Sequence, residues 1–266
     1  ILIGAAALAV GEKAQPLIDV AAAALEIFQK LTWWVIKLTP IGSAALIGKA
    51  IARYGWDLLQ PLAVFAGDVY LGCLLVLFGL YPALLRLHGL SVRRFFYGAW
   101  EAIVFAFVSR SSVATLPITR RDTIDRLGVP SDYASFAVPL GATTKMDGCA
   151  AVYPALAAIT VAQLFGIELG TGHYLLIAFV AVVGSAATAG LTGATVMLTL
   201  TLSTLGLPLE GVGLLLAVDP ILDMIRTATN IAGQALVPVL VARRNRILDL
   251  DRYYGRSEPA ADLVTN

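Results

Sequence analysis

Polar residues recur at helical spacing inside the otherwise apolar segment 214–242. Spacings of three and four place their side chains on one face of a helix. Each charged group within a membrane-spanning helix costs at least about 2.5–3.5 kcal/mol on insertion scales, so such groups face partners or a cavity and usually mark function. The alternative is a purely structural ion pair between Asp223 and Arg226. The face consists of Asp219, Asp223, Arg226, Thr227, Asn230 and Gln234.

A second polar stretch interrupts the long apolar segment 133–165. Lys145 and Asp147 lie in mid-span, surrounded by small and hydroxyl residues. Because glycine and threonine are poor helix formers, this composition predicts an unwound segment that exposes backbone carbonyls. The alternative is a Lys145–Asp147 pair that only fills the interior. The surrounding residues are Gly141, Thr143, Thr144 and Gly148.

Two shorter apolar segments are each broken near their middle. Ser111 and Ser112 interrupt the first, and Thr188, Ala189 and Gly190 interrupt the second. Hydroxyls and free N–H groups beside helix N-termini suit a carboxylate. Each break therefore predicts a helical hairpin whose tip contributes to a binding site. The alternative is that the serines cap a hairpin without contacting a solute.

A broken hairpin followed by a long, polar-spotted helix occurs twice in the second half of the chain. Interrupted apolar segments in corresponding positions point to the binding site of a transporter. Basic residues favour the cytoplasmic side, and the turns around Glu168 and Glu210 contain none. The two units are therefore predicted to be inverted, with the first hairpin opening to the cytoplasm. The arginines that set this orientation are Arg93, Arg94, Arg120, Arg121, Arg126, Arg243, Arg244 and Arg246.

The composition assigns these segments to a membrane. Hydrophobic residues make up 58% of the 266 residues and charged residues 14%, against about 25% charged in soluble domains. A net charge of +1 gives no support for a nucleic-acid partner. Cys73 and Cys149 are isolated, so they predict neither a disulfide framework nor a metal site, and no cofactor is expected.

The first half of the chain is less informative. Ile1 begins inside an apolar run without a basic n-region, so this run is not a signal peptide, and we expect further residues of the natural polypeptide to precede it. Residues 16–52 form a long apolar stretch broken at 40–42, and residues 60–87 predict a spanning helix, because about 20 apolar residues cross the hydrocarbon core.

Three motifs resemble the dicarboxylate/amino acid:cation symporter family, the glutamate transporters. The stretch 110–117, Arg-Ser-Ser-Val-Ala-Thr-Leu-Pro, is similar to the family's serine-rich first hairpin tip. Residues 145–149, Lys-Met-Asp-Gly-Cys, stand where the family carries Asn-Met-Asp-Gly-Thr. Residues 219–234 match its substrate-binding eighth helix. The resemblance extends to about residue 245, and the family's first four helices are largely without a counterpart.

The resemblance implies a homotrimer of elevator transporters and a role for individual residues. Ser112 and Asn230 would take the substrate's α-carboxylate, and Asp223 its amino group. Arg226 would take a side-chain carboxylate, assisted by Thr227. Residues 188–190 would belong to the second hairpin, the outer gate. The implied substrate site comprises Arg110, Ser111, Ser112, Cys149, Thr188, Ala189, Gly190, Asp223, Arg226, Thr227 and Asn230.

The sequence departs from the family at three positions. Lys145 replaces an asparagine, Cys149 a threonine, and Gln234 a carboxylate that holds sodium. Two like charges about 4 Å apart repel by about 4 kcal/mol at an effective dielectric near 20, enough to empty an ordinary sodium site. We therefore predict that Lys145 acts as a tethered cation and that coupling is to protons. The equivalents of the family's ion site are Gly141, Thr143, Lys145, Met146, Asp147, Asp219 and Gln234.

The predicted fold is an all-α polytopic membrane protein with an inverted repeat of a re-entrant helical hairpin and a broken transmembrane helix. The expected segments are scaffold-type helices over 1–58, a sixth helix over 59–95, the first hairpin over 96–130, a seventh helix with an unwound motif over 131–168, the second hairpin over 169–210, an eighth helix over 211–245 and a polar cytoplasmic tail over 246–266.

The predicted function is proton-coupled, sodium-independent symport of aspartate or glutamate across the plasma membrane. An importer of L-cystine or a neutral amino acid is the closest alternative, because residues 149–154, Cys-Ala-Ala-Val-Tyr-Pro, resemble the cystine-transporting branch. A C4-dicarboxylate carrier and an anion channel are further alternatives. An enzyme is not expected, since no histidine or second cysteine lies near the polar motifs to form a nucleophile–base pair or a metal set.

Overall fold

The computed structural model describes residues 7, 9–37, 52, 59–187, 193–216 and 218–256. Their secondary structure is helical throughout. By length and composition, three helical stretches among them can cross a membrane: 60–87, 131–164 and 219–244. The all-helical class and the apolar spans agree with the prediction of an integral membrane protein.

The chain divides into two units, residues 1–42 and 43–266. In the first unit a 3₁₀ turn, Gly11–Ala14, leads into α1 (Gln15–Lys37). The predicted break at 40–42 lies outside the described residues. The second unit contains the segments that the sequence singled out, and the rest of this subsection concerns that unit.

The second unit is built around its longest helix. The elements in chain order are α2 (Leu59–Leu75), a π-helical turn (Val76–Leu80), α3 (Tyr81–Leu87), α4 (Val92–Ser109), α5 (Ser112–Asp125), α6 (Ser131–Thr144), a second π-helical turn (Asp147–Val152), α7 (Tyr153–Leu164), α8 (Thr171–Ala187), α9 (Gly193–Thr204), α10 (Glu210–Leu215), α11 (Asp219–Arg244) and α12 (Leu250–Tyr253). Helix α11 packs against α4, α5, α6, α2 and the second π turn, which brings its polar face into the interior.

Two helical stretches, 60–87 and 131–164, each contain a π turn that is followed directly by Tyr-Pro. Tyr81-Pro82 follows the first π turn and Tyr153-Pro154 the second. Proline cannot donate the helical hydrogen bond to the carbonyl four residues earlier, and its ring crowds that carbonyl. A wider π turn relieves this conflict, and such turns are frequent at functional sites. The two tyrosines are thereby held at matching positions just after each bulge.

Helices α4 and α5 pack against each other and are joined at Arg110 and Ser111. Arg110 ends α4 in the left-handed region with φ 55°. Ser111 caps α5, because its Oγ accepts a hydrogen bond from the backbone N–H of Ala114 at 3.1 Å. The segment is thus a tight helical hairpin. The tip of the second predicted hairpin, residues 188–190, lies outside the described residues.

A C-terminal strap, residues 248–255, closes over the base of this hairpin. The backbone N–H of Asp249 donates to the carbonyl of Gly128 at 2.9 Å, and the Tyr253 hydroxyl donates to the carbonyl of Ser91 at 2.8 Å. Gly128 has φ 73°, and a Cβ there would collide with the backbone carbonyl of Asp249. Burial raises the pKa of the Tyr253 hydroxyl further above its ordinary value.

Candidate functional site

The second π turn meets the polar face of α11 through the side chain of Asn230. Its Oδ1 accepts the backbone N–H of Gly148 at 2.8 Å and that of Cys149 at 3.4 Å, and its Nδ2 lies 3.1 Å from the Cys149 sulfur. A Cβ on Gly148 would stand 2.5 Å from the carbonyl oxygen and 2.7 Å from the Cα of Arg226. Only glycine permits this approach of two backbones.

Arg226 is the largest fully buried side chain in the described part of the chain, with 0% exposure. Its NH2 group donates to Asp219 at 2.7 Å and to Asp223 at 3.2 Å. Its guanidinium lies over the Tyr153 ring, 3.9 Å from the centroid. Among the described residues, Nε and NH1 have no hydrogen-bond partner. Two buried cationic donors are therefore available to an anionic solute.

Asp223 is slightly more exposed than Asp219, the other acidic group of this cluster, with side-chain exposures of 27% and 22%. Its Oδ1 accepts a hydrogen bond from the Thr227 hydroxyl at 3.3 Å and lies 3.8 Å from the Cys149 sulfur. A partly exposed carboxylate beside a guanidinium with unused donors presents both charges that a zwitterionic solute needs.

The hairpin tip reaches the beginning of α11. Arg110 NH1 donates to the carbonyl of Pro220 at 3.3 Å. Ser111 and Ser112 are half-buried in the turn, and the Ser111 hydroxyl is engaged as a helix cap. The structure thus brings the tip to the N-terminal end of α11, and Ser112 follows the capping residue.

The predicted ion-site residues lie around the break between α6 and the second π turn. Lys145 forms an ion pair with Asp147. The Tyr81 hydroxyl donates to Asp147 Oδ2 at 2.5 Å, and Gln234 Nε2 donates to the carbonyl of Lys145 at 3.3 Å. Met146 is buried.

The other predicted ion-site residues are less central. The carbonyl of Gly141 accepts the Lys145 N–H at 2.8 Å. Thr143 is exposed, and its hydroxyl donates to the carbonyl of Leu140 at 2.8 Å. Asp219 lies with Arg226 in the Asp223 cluster rather than with Asp147. In the described part of the chain, no group of three or more His, Cys, Asp and Glu side chains could hold a metal ion.

Sequence reasoning missed two tyrosines, Tyr81 and Tyr153. Each contacts one of the two polar clusters, Tyr81 through its hydroxyl and Tyr153 through its ring. The available signal was the Tyr-Pro pair that occurs in each of two apolar segments, where a proline marks a distorted helix.

The pattern of the sodium:dicarboxylate symporter family matches residues 1–244. A proton/glutamate-aspartate symporter of Bacillus subtilis (strain 168) is 32% identical over 244 residues, covering 91% of this chain and 58% of the relative. The Escherichia coli (strain K12) protein of that name is 34% identical over 230 residues, covering 86% and 52%.

A third relative is named for a different substrate. The L-cystine uptake protein TcyP of Bacillus licheniformis is 34% identical over 233 residues, covering 87% of this chain and 50% of the relative. The chain therefore spans a little over half the length of the curated relatives it matches. These relatives are transporters rather than enzymes, and the resemblance carried by the three sequence motifs is confirmed.

Proposed function

Because this chain belongs to the sodium:dicarboxylate symporter family, we propose that it is the solute-binding part of a secondary transporter that carries aspartate or glutamate together with protons. One observation carries the proposal: the buried Arg226 guanidinium has two donors without a partner among the described residues, while Asp223, beside it, remains partly exposed. Relatives named as proton/glutamate-aspartate symporters support this choice of solute.

The chemistry of the cluster matches an acidic amino acid. The substrate's distal carboxylate would take Nε and NH1 of Arg226 as a planar, bidentate pair, the geometry for which guanidinium is suited. Its ammonium would bind Asp223. The α-carboxylate would bind Ser112 and Asn230, whose Nδ2 now points at the Cys149 sulfur, a weak acceptor that a carboxylate can displace.

L-cystine is the second candidate substrate. The Cys149 sulfur occupies the interior of the site, within 3.8 Å of Asp223 and 3.1 Å of Asn230. A thiol is larger and a weaker donor than a hydroxyl, which favours a substrate that packs against it. TcyP, a relative named for L-cystine uptake, supports the same alternative.

Proton coupling is supported by what surrounds Asp147. The Lys145 ammonium supplies a positive charge at that carboxylate, and Gln234 offers an amide where the family's sodium carboxylate stands. A fixed ammonium opposes a second cation at the same place. We infer that sodium is not the coupling ion.

We further propose the arrangement of the whole transporter. Helices α4–α5 and α8–α9 serve as re-entrant hairpins, the protein works by an elevator motion as a homotrimer, and it lies in the plasma membrane with a cytoplasmic C-terminus. The arginine distribution and the family membership support this arrangement.

Uptake by the purified full-length protein in proteoliposomes tests the proposal. Labelled aspartate, glutamate and cystine are each supplied under a pH gradient, with potassium or sodium as the only monovalent cation. We expect accumulation of aspartate or glutamate that follows the pH gradient in both salts. Accumulation of cystine alone would select the second candidate, and no accumulation of any of the three would contradict the proposal.

A further inference from the structure

Tyr81 is fixed against the carboxylate of Asp147. Its side chain is 1% exposed, and its hydroxyl lies 2.5 Å from Asp147 Oδ2 and 3.2 Å from the carbonyl of Thr229. A phenol has a single hydrogen to donate, and the shorter distance assigns it to the carboxylate. The π turn and Pro82 hold the tyrosine backbone at this position.

Gly233 of α11 provides the space in which these groups meet. A Cβ at this position would lie 2.5 Å from the Tyr81 hydroxyl, 3.2 Å from Lys145 Nζ and 3.3 Å from Asp147 Oδ2. The ammonium, the carboxylate and the phenol therefore converge over one glycine. The Lys145 ammonium also lies 5.5 Å from the centroid of the Tyr81 ring, within the range of a cation–π contact.

A cavity of about 190 Å³ adjoins Lys145 between α6 and α11. Its walls are mostly apolar and include Phe136, Leu140 and Val237. Gln234 also lines it; this side chain is 0% exposed, and its Oε1 has no hydrogen-bond partner among the described residues. The space beside the lysine thus suits a short alkyl chain, and the Gln234 side chain that lines it keeps an acceptor unused among the described residues.

We propose that Asp147, Tyr81 and Gly233 form a cation seat whose occupant is the Lys145 ammonium, and that the emptied seat binds a free primary alkylammonium ion. Tyr81 is the positioning residue that holds the carboxylate. A carboxylate left in this partly buried place without a counter-charge is unfavourable, and an alkylammonium restores both the charge and the apolar stem. A role of this cation seat in transport rests on the proposed function. The seat itself rests only on the contacts described above.

Shortening the lysine tests the seat. In Lys145→Ala, propylammonium supplies the missing methylenes and ammonium. We expect it to raise the Tm of the purified full-length protein in a saturable manner, while 1-propanol and tetramethylammonium, which lack the charge or the N–H donors, do not. In Lys145→Ala with Tyr81→Phe, the half-saturating concentration should rise at least about tenfold, the lower end of the effect of losing a hydrogen bond to a charged group.

Gly233→Ala tests the geometry with the lysine in place. We expect a lower Tm, because the new methyl group collides with the Tyr81 hydroxyl. Gly67→Ala, in the same helical stretch 60–87 as Tyr81, is the matched control and should not lower it, because no atom of the described residues lies within 4 Å of the added Cβ.

Two results would overturn the proposal: equal responses to propylammonium in the wild-type and Lys145→Ala proteins, or equal half-saturation with and without the Tyr81 hydroxyl. If Lys145→Ala does not fold, a Gly233→Ala protein as stable as wild type would overturn it instead. A saturable Tm response in a protein that transports none of the tested amino acids would support the seat and contradict the proposed function. The two failures are therefore distinguishable.

Discussion

The proposed function assigns the distinction between acidic and neutral amino acids to one side chain, Arg226. We predict that Arg226→Thr weakens aspartate or glutamate by at least a hundredfold, since a buried guanidinium–carboxylate pair loses about 3–5 kcal/mol when one partner is removed. The affinity of the same variant for the neutral amino acids serine and alanine should fall far less. Calorimetric titration of both kinds of ligand measures the difference. Arg93→Gln, at an exposed position, serves as the control, and unchanged affinity for the acidic ligand in Arg226→Thr would contradict the assignment.

A second prediction concerns Asp223, which we propose binds the substrate's ammonium group. Asp223→Asn keeps the shape of the side chain but removes its charge. We expect aspartate affinity to fall at least about tenfold more than that of succinate, which lacks the amine, because a hydrogen bond to a charged group is worth about 1.5–3 kcal/mol. Competition against a labelled ligand gives both values. An equal loss for the two ligands would mean that Asp223 only supports Arg226.

Residue types and spacing predicted the polar face of α11 because charges are rare in membrane-spanning helices. Asp219, Asp223 and Arg226 do lie together in one cluster. Tyr81 and Tyr153 were not predictable in the same way, since an aromatic residue in an apolar run usually packs in the interior. Only the fold shows that one hydroxyl faces Asp147 and that one ring lies under Arg226.

At the scale of elements, Gly148 determines how closely the second π turn approaches α11. We predict that Gly148→Ala destabilises the protein by about 1–3 kcal/mol, the usual cost of overpacking, and abolishes substrate binding by separating Asn230 from the N–H groups of residues 148 and 149. Thermal unfolding and ligand titration check both parts. Gly213→Ala, which places a methyl group in open space, should change neither, and a normally stable Gly148→Ala protein would refute the prediction.

The α4–α5 hairpin is held together near its base by charged residues. Asp122 is 1% exposed, accepts the backbone N–H of Ala102 at 3.3 Å and pairs with Arg121 at 3.0 Å. Glu101 of α4 pairs with both Arg121 and Arg126, at 2.7 and 2.9 Å. Asp122 thus joins the two arms of the hairpin from the inside.

We predict that Asp122→Ala lowers the free energy of unfolding by about 1–3 kcal/mol, because the hydrogen bonds that its buried carboxylate accepts from Ala102 and Arg121 are lost. The loss is measurable as a lower Tm of the purified protein in detergent. The control is Asp251→Ala, which breaks an ion pair whose two side chains are 73% and 69% exposed and should have little effect. Equal Tm values for the two variants would exclude this role for Asp122.

The glycines and threonines within 133–165 predicted an interruption of the helix. The structure does depart from helix there, at Lys145 and Met146. The first π turn could not be read from composition, because its apolar residues are equally compatible with regular helix. Helix α11 begins only at Asp219, followed by Pro220, although apolar residues continue before it. Hydrophobicity predicts the presence of a helix better than its first residue.

At the scale of the whole molecule, the prediction concerns energy coupling. We expect uptake to persist in sodium-free buffer and to scale with the pH gradient. The double variant Lys145→Asn with Gln234→Asp introduces the two side chains that the resemblance assigns to a sodium site, and we expect it to gain substrate binding that rises with sodium concentration. Uptake and binding across a sodium series measure both effects. Strict sodium dependence of the wild-type protein would contradict the role given to Lys145.

The strap over the base of the first hairpin has a consequence for biosynthesis. Tyr253 and Ser91 are 162 positions apart, and the ribosome completes the strap only after every residue of the polar clusters has been made. Since chains are synthesised from the N-terminus, the hairpin is made before the segment that seals its base. A nonsense codon between 245 and 249 would therefore release a chain that has the entire binding face and an open hairpin base. We expect cellular proteases to remove that product faster than the complete chain, and pulse–chase labelling of the two would measure the difference.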